Sequence, residues 1–409
     1  MPHLAGTSPR LARAVAAALL VAAALGCRDD AQSPTDPQQP AGLVLATTAA
    51  LSFSQVSAGA SHTCGVTTDN RAYCWGRGGE LGDGTTTDQP RPVAVVGGLQ
   101  FVQVSAGFGH TCGVTTDDRA YCWGGNEFGQ LGDSTTINRS TPVAVAGGRH
   151  FRQVSAGNYH SCALTPFDVA FCWGRNLEGL LGTNGGEHIT PTRVFGGLRF
   201  RRIVAGGLHT CGATTDDRGY CWGDRAFGEL GDGTFITRLR PVAVAGGHSF
   251  VQVLAGGSGL FGDEQQREPE NGHSCGVTTD NLAYCWGDNS FGQLGTGDAT
   301  LRGTPVAVAG GHRFRGVSPG NYHTCAVTPA DIAFCWGYNP FGAVGDGTTT
   351  RRLAPVRVAG GLHFSGLSTG VGGFHSCGVT TDHRAYCWGS NSSGQLGDGT
   401  QGTNRLTPV

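Results

Sequence analysis

The chain predicts an all-β fold: a seven-bladed β-propeller of four-stranded blades, its ring closed by joining the N- and C-terminal strands. Three observations carry that prediction. The segment "SHTCGVTTDNRAYCWG" at Ser61–Gly76 returns six more times along the chain. Trp stands at 75, 123, 173, 222, 286, 336 and 388, with spacings of 48, 50, 49, 64, 50 and 52. Each unit also holds short apolar stretches between turn residues, with strand rather than helix periodicity.

A period near 50 residues is the mark of a repeat architecture. Within a unit, the first strand is of the type "FSQVSAG" (Phe53), and the next two form a hairpin between the cysteines. A Gly-rich loop such as "GGNEFGQLGDSTT" follows the Trp, and then a Pro-Val strand such as "TPVAVAGG" (Thr141). Four such strands repeated seven times make propeller blades. A linear solenoid would carry specialised caps. Here the last unit stops at "RLTPV" (Arg405–Val409) and the first begins at "LSFSQVSAG" (Leu51), so the ends read as complementary fragments of one blade. Joining them closes the ring and removes exposed sheet edges.

Composition agrees. Gly accounts for 70 of 409 residues and charged residues for only 14%, which suits tight turns and short strands better than amphipathic helices. The net charge is −2, and the densest basic run is "LRFRR" at Leu198–Arg202. No basic face or groove of the kind that nucleic acid requires is announced.

Met1–Arg13 is basic without acids, "AVAAALLVAAAL" at Ala14–Leu25 is apolar, and "GCRDD" follows. That order reads as a secretory signal over 1–26, too short to span a bilayer. "ALGC" at Ala24–Cys27 resembles a bacterial lipobox, although Ala24 occupies the place where that pattern favours Leu. The chain has 15 Cys, and Cys27 alone lies outside the repeats. Lipid attachment would account for it. Residues 27–50 are polar and Pro-rich and read as a flexible tether, leaving 51–409 for the propeller.

The repeated cysteines pair by position: Cys64 with Cys74, Cys112 with Cys122, Cys162 with Cys172, Cys211 with Cys221, Cys275 with Cys285, Cys325 with Cys335 and Cys377 with Cys387. With a turn at Thr68–Asn70, Val66 faces Ala72 and Cys64 faces Cys74, where a disulfide fits. Such bonds persist outside the reducing cytosol. A zinc site would want closely spaced cysteines and a fourth ligand, and neither is offered. The seven His (62, 110, 160, 209, 273, 323, 375) are too many and too dispersed for one catalytic centre. They are expected to be buried between blades on backbone groups, with each Trp between neighbouring sheets and its indole N–H satisfied locally. The "GDGT" turns at Gly82, Gly231, Gly345 and Gly397 lack the carboxylate density of a calcium loop, and turn chemistry accounts for them. No catalytic residue, metal or cofactor is assigned.

The pattern "AG..HTC.VT.D.RAYCWG.N..GQLGDGT" resembles the regulator of chromosome condensation repeat family, whose members form seven-bladed propellers. "WGGNEFGQLGD" (Trp123), "WGDNSFGQLG" (Trp286) and "WGSNSSGQLGDGT" (Trp388) lie close to its signature. "WGRGGELGDGT" (Trp75) is two residues short, and "WGYNPFGAVG" (Trp336) departs at the Gln-Leu pair. Known members differ in function: they exchange nucleotide on a small nuclear GTPase, sense ultraviolet-B light or inhibit secreted β-lactamases. No functional residue of those members carries across, and fold alone does not fix function.

Positions that vary among the repeats are free to serve a partner. The residue before each repeated His varies widely (Ser61, Gly109, Tyr159, Leu208, Gly272, Tyr322, Phe374), and Phe108 adds an aromatic. Phe108, Tyr159, Leu208, Tyr322 and Phe374 are expected on one face as contact anchors. The 64-residue spacing locates an insertion at Ser258–Gly272, whose Leu260, Phe261, Asp263 and Glu264 are further candidates. The loops after Trp, including Arg175–Glu178 and Tyr338–Pro340, are expected on another edge. The function read from this pattern is a non-enzymatic, monomeric scaffold in the bacterial cell envelope, facing periplasm or exterior. It would contact an unidentified protein or glycan, and a membrane through its lipid only. The alternatives are an inhibitor of a secreted or periplasmic enzyme and, less favoured, a propeller enzyme.

Overall fold

The computed structural model describes residues 50–224, 226–257 and 272–409. These form a ring of seven antiparallel sheets, each from one stretch of chain. In blade 1 the strands are β1 (Phe53–Ala58), β2 (His62–Thr67), β3 (Ala72–Gly76) and β4 (Gln89–Ala94), hydrogen-bonded in that order. The first strand of every blade lines a central bore. A β-bulge interrupts β1 between Phe53 and Gln55. The β2–β3 hairpin has the expected register, Val66 on Ala72 and Cys64 on Cys74. It turns through Asn70 at φ 65°, a left-handed conformation that, after Gly, Asn and Asp tolerate best.

Every one of the seven expected cysteine pairs is joined. The bonds run from Cys64 to Cys74, Cys112 to Cys122, Cys162 to Cys172 and Cys211 to Cys221 in blades 1 to 4. Blades 5 to 7 join Cys275 to Cys285, Cys325 to Cys335 and Cys377 to Cys387. Their Cα atoms lie 4.0–4.1 Å apart, the closeness of residues directly opposed at a non-hydrogen-bonded position of a hairpin. The disulfides are buried at the contact between blades. Cys64 and Cys74 share a cluster with Val66 and Leu81 of their own blade and Phe101, Val104 and Trp123 of the next. The ring of Phe101 stands edge-on to Trp123 at 5.9 Å. Burying an aromatic pair at each junction supplies the apolar area that a short four-stranded sheet cannot bury alone.

The ring is closed, but its ends meet differently from expectation. The seventh sheet contains Phe364–Thr369, His375–Thr380 and Ala385–Gly389. Arg405–Val409 completes it through a bridge to Gly389 and paired bonds of 3.0 Å between Val409 and Cys387. β1 belongs wholly to blade 1. The chain ends are therefore not fragments of one blade, because the Pro-Val strand pairs with the hairpin just before it. Closure is instead one whole blade packed on another, with Phe53 N donating to His383 O at 2.8 Å.

Candidate functional site

In an antiparallel meander the first and third strands run the same way, so the turns after them emerge at one face. The turn before each repeated His and the loop after each Trp are therefore neighbours. This corrects the expectation that the post-Trp loops occupy another edge. Tyr338 and Arg175 lie among the very side chains singled out on the first set of turns.

Two aromatic clusters result. On blades 2 and 3, Tyr159 lies 5.9 Å from Phe108 and 5.4 Å from Phe128, and Arg175 covers Phe128 at 4.9 Å and Tyr159 at 5.4 Å. On blades 5 to 7, Tyr322 stacks on Phe374 at 5.9 Å, while Phe291 meets Tyr322 at 5.2 Å and Tyr338 at 4.6 Å. Phe341 joins Phe374 at 5.4 Å. All nine side chains are half-buried, unlike the scaffold Trp and Phe residues, which are almost fully buried. Leu208 is also half-buried and stands on blade 4. Phe128 and Phe291 were missed in the sequence because the motif "FGQLG" makes them look like scaffold, and Phe341 because "FGAVG" takes the same place. Leu260, Phe261, Asp263, Glu264 and Cys27 lie outside the described residues.

Beneath this face the repeated His and Trp lock each blade to the next. His110 Nε2 bonds Ser161 Oγ at 2.8 Å, and that hydroxyl donates to Gln130 O at 2.8 Å. Because the hydroxyl gives its proton to the carbonyl, His Nε2 is the donor. The indole of Trp173 donates to the same carbonyl at 2.9 Å. Gly132 sits over that indole at φ 69°, where a Cβ would lie 2.6 Å from Nε1. The His thus bonds a side-chain hydroxyl of the following blade, not backbone as expected. Burial holds His62, His110, His160, His209, His273 and His375 at a pKa of about 3 and His323 at about 4, so the ring is neutral.

The post-Trp loops are held internally. Asp346 accepts from Thr348 N and Oγ1 at 3.0 and 2.8 Å and from Arg352 Nε at 2.7 Å, so turn and ion-pair partners occupy its carboxylate. Asn126 Oδ1 accepts from Leu131 N at 2.9 Å, and its amide donates across the same loop. Glu229 stands where blades 2, 5 and 7 have Gln and takes the Gln role: Oε2 accepts from Phe227 N at 2.8 Å. Desolvation raises its pKa well above the usual carboxylate range. Among the described residues no group of three or more His, Cys, Asp or Glu could hold a metal.

Models of the regulator of chromosome condensation (RCC1) repeat match residues 69–114, 117–164, 280–327 and 382–409, and a second model of that description matches 53–80, 101–130, 151–179 and 368–395. The E3 ubiquitin-protein ligase HERC2 of Homo sapiens is 29% identical over 183 residues, 44% of this chain and 4% of that protein. This chain therefore spans only a small part of that relative's length. Among solved structures, Prp20p from Saccharomyces cerevisiae superposes with a TM-score of 0.70 at 21% identity, covering 88% of this chain and 87% of that one. The ectodomain of the Physcomitrella patens receptor kinase CR4 gives 0.53 at 21% identity, covering 83% and 74%. Family-model matches over more than half the chain, together with a complete seven-bladed ring, lead to one conclusion: the chain belongs to the regulator of chromosome condensation (RCC1) repeat family.

Proposed function

We propose that this protein is a non-enzymatic scaffold that acts outside the cytoplasm and takes a protein partner on its aromatic face. One observation carries the reading: aromatic side chains that the ring does not need are gathered, half-exposed, into two clusters on one face. Aromatic anchors of low conformational freedom are what interface centres are built from. The structural relative Prp20p has binding properties toward Gsp1p and histones. The seven disulfides and the Met1–Cys27 pattern support an oxidising compartment, and the CR4 relative is an ectodomain. In this reading 1–26 is a signal, 27–50 a tether acylated at Cys27, and the insertion holding Leu260, Phe261, Asp263 and Glu264 adds to the contact surface.

The test is affinity capture from extracellular extract with the intact protein and with a Phe108→Ala, Tyr159→Ala, Tyr322→Ala triple variant. Circular dichroism would confirm that the variant folds. Loss of the captured protein from the variant is expected. Equal capture by both would remove the aromatic face from consideration.

A further inference from the structure

The bore is not sevenfold. In blades 1 to 3 the residue two after the repeated Phe (53, 101, 151) is Gln on the inner strand, and its amide clamps the next blade. Gln55 Nε2 donates to Val104 O at 2.8 Å and Oε1 accepts from Val104 N at 3.2 Å. Gln103 holds Val154 with two bonds of 3.0 Å, and Gln153 holds Ile203 at 2.6 and 3.3 Å. Each clamp uses both polar atoms of the amide.

At the same position blade 4 has Arg202, blade 5 Gln252, blade 6 Gly316 and blade 7 Gly366. A guanidinium has no acceptor, so Arg202 cannot clamp. Its Nη1 donates to Gln252 Oε1 at 3.4 Å. The opposite end of that amide, Nε2, lies buried with no acceptor among the described residues, 3.7 Å from where a Cβ on Gly316 would be. Gln252 is 7% exposed. Arg202 is walled in by protein yet open to the water of the bore. Its neighbour Arg201 takes Asp217 at 2.8 Å, and Arg202 has no ion-pair partner among the described residues.

The remaining wall is Ser, Thr, Gln and apolar side chains around a space of about 480 Å³, with Arg315 also on the lining but paired to Asp331 at 2.8 Å. At the aromatic face the turn of blade 7 crosses the mouth. Val371 lines the bore, Gly372 N donates to Gly257 O of blade 5 at 3.2 Å, and Gly372 rests against Phe108 of blade 2. Access is therefore from the opposite face, into a space suited to a small solute rather than a folded partner.

We propose that the bore binds a small free anion, a phosphate or a carboxylate, held by the Arg202 guanidinium and the Gln252 amide N–H. A planar cationic fork beside an unsatisfied neutral donor is the donor set an oxyanion completes. An anion would give Gln252 Nε2 the acceptor that blades 1 to 3 find in backbone. The surrounding protein lowers the Arg202 pKa by desolvation. The group stays a cation at neutral pH, and a bound anion offsets that penalty.

Isothermal titration of the intact protein with inorganic phosphate, and separately with malonate, at constant ionic strength in chloride, tests the site. One-site saturable binding of at least one anion is expected, and which of the two binds separates phosphate from carboxylate as the ligand. Arg202→Gln installs the residue that blades 1 to 3 carry. It should fold with an unchanged or higher Tm while weakening binding about tenfold or more. Gln252→Leu should weaken binding with the cation still in place. Absence of saturable binding for both anions, or equal affinity in the protein and in Arg202→Gln, would overturn the proposal.

Discussion

Six junctions between blades are continuous in the chain, while the seventh, between blades 7 and 1, is closed by non-covalent contact. The two kinds are nearly identical in chemistry. At the closing junction His375 Nε2 bonds Thr63 Oγ1 at 2.8 Å, and that hydroxyl donates to Gln395 O at 2.9 Å, as at every other junction. Ser368 Oγ accepts from Ala58 N at 3.0 Å, as Ser57 accepts from Ala106 N at 3.0 Å. Two details differ. Trp75 Nε1 has no partner among the described residues, whereas the other six indoles donate to the preceding blade's loop at 2.8–3.0 Å. The left-handed turn residue is His383, where the other six blades have Asn or Asp. A ring built of one repeated contact closes by making that contact once more, and here the last copy is slightly poorer.

The largest effect expected on that comparison comes from acid. The seven ring His have folded pKa values of about 3 to 4, below the ordinary 6.5. A depressed pKa means that the unfolded chain binds more protons, so stability is complete above pH 6.5 and is lost progressively as pH falls toward 3. Thermal unfolding from pH 7 to 4 should show a steep fall in Tm with uptake of up to seven protons. Hydrogen exchange at acid pH should quicken first in β1 and Phe364–Thr369, the strands at the closing junction. A Tm flat over that range would contradict the neutral, buried His ring.

Removing a staple should matter next. Replacing Cys162 and Cys172 together by Ala is expected to cost about 2–3 kcal/mol. The Cys377 and Cys387 pair should cost the same if each staple acts within its own hairpin. A larger loss in blade 7, read by denaturant unfolding, would mean that the closing junction depends on it. Smaller still is the indole contrast. Trp173→Phe removes a bond to Gln130 O and should cost about 1 kcal/mol more than Trp75→Phe, which has no such bond to lose. The smallest change is His383→Asn, expected to stabilise by a few tenths of a kcal/mol because Asn tolerates the left-handed turn better. A destabilisation there would show that the His383 Nδ1 contact with Phe53 O, at 3.3 Å, matters more than the backbone preference.

The legibility of the sequence follows the range of the interactions. Cys64 faces Cys74 because a hairpin with a three-residue turn sets that register locally, so the pairing could be read directly from residue spacing. The same holds for the four strands per repeat and for the turn role of Asp346. The closing geometry was less legible, since whether Arg405–Val409 joins its own hairpin or the strand at Phe53 depends on which partner is nearer in space. Prediction of the face stopped short for the same reason. Tyr159 and Tyr322 stood out by varying, but Phe128 and Phe291 sit inside a scaffold motif and become surface contacts only when the next blade brings a Tyr beside them.

Residues 201 and 202 show the division most sharply. In "LRFRR" they are two equal arginines. The ring sends Arg201 to Asp217 on one side of the inner strand and leaves Arg202 in the bore beside Gln252. Local pattern alone determined the hairpins, their staples and the number of blades, because those rest on strand period and turn chemistry within some fifty residues. Which side chains share a face, and which charge is left facing water inside the ring, depended on seven blades curving back to meet, and only the tertiary structure decided it.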